Sequence, residues 1–158
     1  MNDMYQECVD LLESRGVTID DIVDCVVYLQ KDYIREIENI DIHDYVRSVL
    51  RKREVQHALL TGINIDIQVD KKEFGSETIC DIISVDKGLY GIDEVLAYGI
   101  CNLYGSIALT NYGYIDKVKP GIIGVLNNHE GNQCNTFIDD IVGAIAAAAA
   151  SKLAHSQE

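Results

Sequence analysis

A chain of 158 residues suits one compact domain, which at this size buries about 70% of the surface its unfolded form exposes. Its 26 acidic residues against 13 basic ones leave a formal charge of −13, and without a long basic patch that field repels a phosphate backbone and excludes nucleic acid as a partner. The five cysteines, Cys8, Cys25, Cys80, Cys101 and Cys134, are odd in number and form no C-x-x-C pair, which excludes a disulfide framework and a zinc ribbon and leaves free thiols in a reducing compartment.

The opening stretch MNDMYQECVDLL meets acidic residues at once and has neither a basic segment nor a continuous apolar run, so the expectation is a cytoplasmic chain without a signal peptide. Helical periodicity dominates and a single proline interrupts it, which predicts an all-α, single-domain fold over residues 1–158 with six or more helices. A first amphipathic helix runs from about Asp3 to Ser14 and ends at Gly16. Thr18 caps a second over residues 19–33, with Asp20 and Asp21 in its first turn. A third spans 42–62, placing Val46, Val49, Leu50 and Ala58 on one side and stopping near Gly62, with its RKRE cluster on a solvated face. Two shorter helices are expected on either side of Gly75, although residues 63–69 alternate as a strand would.

Residues 95–115 carry no charge over 21 positions, long enough to cross a bilayer. Asn102, Ser106, Thr110, Asn111 and three glycines make a poor span, so the expectation is one helix buried among protein neighbours, with no transmembrane segment. Pro120 and Gly121 end it, a short helix reaches about Leu126, and a polar loop over 127–133 leads to the final helix. There Ile138, Ile141, Val142 and Ile145 form one stripe while alanines and Gly143 cover the rest. Apolar on every side for ten residues, it is too short to span a membrane and is expected at the centre of the core.

Asp139 and Asp140 head that helix. Thr136 and Asp139 have the spacing of a capping box, which accounts for one carboxylate. Asp140 has Ala144 and Ala147 one turn on and so lacks a local counter-charge, and a desolvated carboxylate of that kind is commonly relieved by a metal ion. Asp93 and Glu94 repeat the pattern at the head of the other uncharged stretch. At its far end Asp116 is followed by Lys117 and Lys119, which suit phosphate recognition beside a carboxylate-held Mg²⁺, or simply the C-terminal end of a helix dipole. Other chemistries are not supported: there is no G-x-x-x-x-G-K-[ST], G-x-S-x-G or H-E-x-x-H, and no cysteine has Arg six positions on. His43, His57, His129 and His155 are scattered surface or capping residues. Tyr90, Tyr98, Tyr104, Tyr112 and Tyr114 are expected to pack around the buried helix with their hydroxyls at its rim.

The segments IDEVLA, YIDKVKPG and NTFIDDIVGAIAA resemble, in order and approximate spacing, the acidic signatures of phosphatidylglycerophosphatase A. The whole chain is similar to that family's soluble branch, often called low-temperature requirement C protein. The resemblance implies an all-helical fold around one central helix and a Mg²⁺-dependent phosphatase that removes the terminal phosphate of phosphatidylglycerophosphate. On these motifs Asp93, Glu94, Asp139 and Asp140 would hold metal, Asp116 and Asp140 would serve catalysis, and Lys117 and Lys119 would bind phosphate. Membrane-bound relatives carry true apolar spans and a glycine-rich N-terminal motif. This chain has KREVQHALLTGI at the comparable place, so a phospholipid headgroup and a phosphorylated small molecule both stand as substrates. Transient membrane contact and self-association stay open, as do two rivals: a metal- and phosphate-binding regulatory module without turnover, and a helical oligomer built through Ala-rich faces.

Overall fold

The structure, a computed structural model, describes residues 3–128 and 131–157. They form nine α-helices and a 3-10 turn at Ile37–Asn39, with no strand among the described residues. Helices α1 (Met4–Ser14) and α2 (Ile19–Gln30) follow the sequence closely. The Asp3 carboxylate accepts the Tyr5 N–H at 3.0 Å, and Thr18 and Asp21 close a reciprocal capping box at the start of α2.

The helix expected over 42–62 is two helices, α3 (Ile42–Leu50) and α4 (Arg53–Asp70), separated where Lys52 adopts an extended backbone. Rather than stopping near Gly62, α4 runs on through the strand-like stretch. Leu59, Gly62, Ile63, Asp66 and Val69 recur on its buried side, so packing at the helical period overrides local alternation. Gly62 lets α4 lie directly on its neighbours, since a Cβ there would stand 2.4 Å from Ile141 Cδ1 and 2.9 Å from Leu96 Cδ2.

After α5 (Glu77–Ser84), capped by Ser76, the uncharged stretch is likewise two helices, α6 (Ile92–Asn102) and α7 (Ser106–Val118). Gly105, at φ +98°, makes the break in a region that other residues rarely adopt. The expectation of full burial fails here. Ala97, Ile100 and Cys101 on α6 and Ala108, Tyr112 and Ile115 on α7 face the core, while the opposite side of each helix is exposed. Helix α8 (Ile122–Asn127) follows Pro120. The polar loop read at 127–133 includes His129 and Glu130, which lie outside the described residues.

Helix α9 (Thr136–Ser156) is the axis. Every residue from Thr136 to Ser151 is buried, and α2, α3, α4, α6, α7 and α8 surround it, while α1 and α5 pack on α4. Its alanines allow six neighbours to approach closely, which answers why a helix with so weak a stripe folds: it is packed on all sides. No helix among the described residues is long and apolar enough to cross a membrane.

Candidate active site

The N-terminus of α9 meets the core with its first N–H groups unsatisfied by its own helix, and the carboxylate that takes them comes from α4. Asp66, fully buried, accepts the Phe137 N–H at 3.0 Å and the Ile138 N–H at 3.0 Å. The capping box read from Thr136 and Asp139 does not form: the Thr136 hydroxyl donates instead to the Ile83 carbonyl at 2.6 Å, tying α9 to α5. The entering loop is pinned as well, because Asp70 accepts the Cys134 N–H at 2.7 Å while Arg15 donates to Asp70 at 2.9 Å and to the Cys134 carbonyl at 2.6 Å. Asp139 is thereby released from capping, and it points its charge elsewhere.

Elsewhere is a group of acidic side chains from three helices. Asp93 in the first turn of α6, Asp116 near the end of α7, and Asp139 and Asp140 on α9 lie close enough to act on one another, and Asp93, Asp139 and Asp140 are only 7%, 3% and 5% exposed. Burial pushes the Asp140 carboxyl up to about 11, helped by a hydrogen bond shared with Asp93 and by the charges of Asp139 and Asp93. Burial likewise lifts Asp139 to about 8 against the opposing pull of Lys119. Glu94, exposed at the rim, is raised by partial burial and by Asp93 and Asp116. One cation answers this group. Lys119 Nζ stands 3.2 Å from Asp116 Oδ1 and 3.8 Å from Asp139 Oδ2, and although burial opposes its charge, those two carboxylates outweigh it and raise its pKa. Lys119 holds a left-handed backbone at φ +53°, immediately before Pro120, so the turn that ends α7 also carries the lysine into the group. Lys117 is exposed and forms no ion pair among the described residues.

Two buried polar atoms here lack a hydrogen-bond partner among the described residues: Asp139 Oδ1 and the hydroxyl of Tyr112, beside Asp140. A carboxylate oxygen in that state, among further carboxylates and one lysine, fits a hard dication such as Mg²⁺, which takes oxygen donors only. No three His, Cys, Asp or Glu side chains among the described residues already stand as a ligand set, so holding an ion requires rotation of at least one carboxylate. A broad concavity of about 650 Å³ along α1, between Asp10 and Asn64, shares none of these aspartates.

Residues 9–155 match the family described as Phosphatidylglycerophosphatase A. The chain belongs to the phosphatidylglycerophosphatase A family. It is 51% identical over 144 residues to YutG, an uncharacterized protein of Bacillus subtilis, covering 91% of this chain and 86% of that one. Its fold is similar to the low temperature requirement C protein from Listeria monocytogenes, with TM-score 0.94 and 54% identity over 99% of this chain and 98% of that one. A protein of unknown function from Bacillus stearothermophilus aligns with TM-score 0.95 and 50% identity over 100% of this chain and 98% of that one.

Within this family member, sequence reasoning missed three residues near the acidic group. Asp86, in the loop before α6 at φ +47°, is near enough to raise both Asp139 and Glu94. The signal available was an acidic residue seven positions before Asp93, which spacing alone does not mark. Asp66 reads as an ordinary mid-helix aspartate. Tyr112 was expected at the rim with the other tyrosines and is instead fully buried, its ring edge-on to Tyr98 with centroids 5.3 Å apart.

Proposed function

We propose that this protein is a Mg²⁺-dependent phosphomonoesterase of the phosphatidylglycerophosphatase type, acting on the terminal phosphate of a phosphatidylglycerophosphate-like substrate. The observation that carries the reading is the buried Asp93, Asp139 and Asp140 group with Asp116 and Lys119 at its edge, in a chain of this family. Asp93, Asp139 and Asp140, with Glu94 at the rim, would hold the ion. When bound, Mg²⁺ supplies Lewis-acid polarisation of the phosphoryl group and neutralises its charge. Lys119 would bind a phosphate oxygen; its ion pairs with Asp116 and Asp139 keep its ammonium charged and aimed at the carboxylates. Asp116, hydrogen-bonded to that ammonium and about one-third exposed, would pass a proton to the leaving alcohol or take one from the attacking water. Lys117 would serve phosphate approach from the exposed rim. Tyr112, whose hydroxyl lies beside Asp140, would orient that carboxylate through a hydrogen bond while keeping its proton.

The test is phosphate release, with Mg²⁺ or with chelator, from phosphatidylglycerophosphate in vesicles and from water-soluble phosphomonoesters. Mg²⁺-dependent release is expected, and Asp140→Asn is expected to lower it by about 100-fold or more, the scale at which even residues behind metal ligands act, with the fold retained. Mg²⁺ binding without release from any substrate would make the chain a binding module, and undiminished turnover in the variant would remove Asp140 from the site.

A further inference from the structure

Helix α9 carries Asp139 and Asp140, yet most of its length does little to fix where they point. Six of the seven residues from Ala144 to Ala150 are alanine, and all seven are buried. A surface so uniform meets its neighbours almost as well after a slip of one residue. That slip would turn each carboxylate by about 100° and move it about 1.5 Å along the axis. Buried polar contacts, which have few acceptable arrangements, are what fix register in such a helix.

We infer that Asp66 is a positioning residue of the acidic site: by taking the Phe137 and Ile138 N–H groups it sets the rotation and register of the first turn of α9, and so the direction in which Asp139 and Asp140 present their oxygens. The inference rests on the dication reading above. Asp66 is fully buried, and its two oxygens take successive N–H groups, Oδ1 that of Phe137 at 3.0 Å and Oδ2 that of Ile138 at 3.0 Å. Any other rotation of the turn would leave a buried carboxylate and two buried donors unmatched. The helix's own N-cap does not share this task, because Asn135 makes no side-chain cap and its amide donates to the Leu126 carbonyl at 3.1 Å. The turn that Asp66 holds also meets the entry to α6. The Phe137 ring packs edge-on to Tyr90 with centroids 6.0 Å apart, and Tyr90 lies within reach of the charges of both Asp93 and Asp66. Asp66 thus acts on the ion's ligands through peptide groups.

Titration calorimetry of the full chain with Mg²⁺ alone, at one fixed pH, reads the outcome in Asp66→Asn and Asp66→Ala. Asn keeps the side chain's volume and one accepting oxygen, while Ala strands both N–H groups. The Mg²⁺ dissociation constant is expected to rise in both, by about 10–100-fold in Ala and by less in Asn. Both variants lose the same charge, so a rise in Asn equal to or above that in Ala would make Asp66 an electrostatic partner of the ion and overturn the inference. Val9→Ala, at a buried position on α1, which packs on α4, is expected to lower the melting temperature and leave the Mg²⁺ constant unchanged. Thermal melts establish that each variant is folded, and the Asn variant decides alone if Asp66→Ala does not fold. Wild-type Mg²⁺ affinity in folded Asp66→Asn would confine Asp66 to stability, overturning the inference and leaving the phosphatase reading intact. A wild type that binds no Mg²⁺ overturns both.

Discussion

Asp139 and Asp140 are neighbours in sequence with different surroundings. Asp139 keeps one lysine within 3.8 Å, while Asp140 faces Asp93, Asp116 and the Tyr112 ring, so burial and like charge raise it further. Burial and like charge raise both carboxyls above the usual carboxylate range, so a dication competes with protons for them. Mg²⁺ affinity is therefore expected to rise between pH 6 and pH 8, with proton release seen in titration calorimetry as a heat that depends on the buffer's ionisation enthalpy; a buffer-independent heat would contradict this. Asp66 offers a second test. Burial pushes it up to about 7, even though its hydrogen bonds to Phe137 and Ile138 favour the charge. A folded pKa above the unfolded value of about 3.9 means that its contribution is complete below pH 4 and is lost as pH rises through 7. In urea unfolding Asp66→Asn should flatten that slope, whereas Asp66→Ala, which strands two N–H groups, should cost about 1–3 kcal/mol. An unchanged slope in the Asn variant would assign it to other groups. The site aspartates were legible because each acidic pair heads an uncharged run with no basic residue one turn on. Asp66 was not, because the N–H groups that define its role lie 71 and 72 residues later.

At the scale of elements, α9 could be read directly from its composition, since an all-apolar helix of that length has no stable place except the centre. The α3–α4 and α6–α7 boundaries could not. Lys52 is a good helix former and carries no local stop signal, so that break is set by how α3 and α4 each pack on α9. Gly105 was a stop signal, masked by the uniform polarity on both sides of it. Two helical glycines separate propensity from packing. Gly62→Ala would gain up to about 1 kcal/mol of helix propensity but drives a methyl to 2.4 Å from Ile141 Cδ1. Overpacking wins, and a net loss of about 1–3 kcal/mol is expected in thermal or denaturant unfolding. At Gly143 the nearest side-chain atoms stand at 3.5–3.7 Å, ordinary contact, so Gly143→Ala should be neutral or stabilising by up to about 1 kcal/mol. Equal effects at the two sites would mean that α4 does not lie on α9 as closely as described.

For the molecule as a whole, an excess of 13 negative charges argues against any anionic substrate unless cations screen the place where it binds. Lys119 supplies one such charge at the acidic group, and a dication would supply the rest. The overall class, one helical domain around a buried axis, followed from periodicity and from the composition of residues 136–150. The exposed face of α6 and α7 did not, because an uncharged segment reads the same whether the chain's own core or solvent meets it. Side chains from α6, α7 and α9 are proposed to form one dication site. Anomalous diffraction from crystals grown with Mn²⁺ in place of Mg²⁺ tests it most directly: the expected result is a peak about 2.0–2.5 Å from an oxygen of Asp139 and from one of Asp140 or Asp93. Mn²⁺ density at other residues only, under conditions where the metal supports phosphate release, would contradict it.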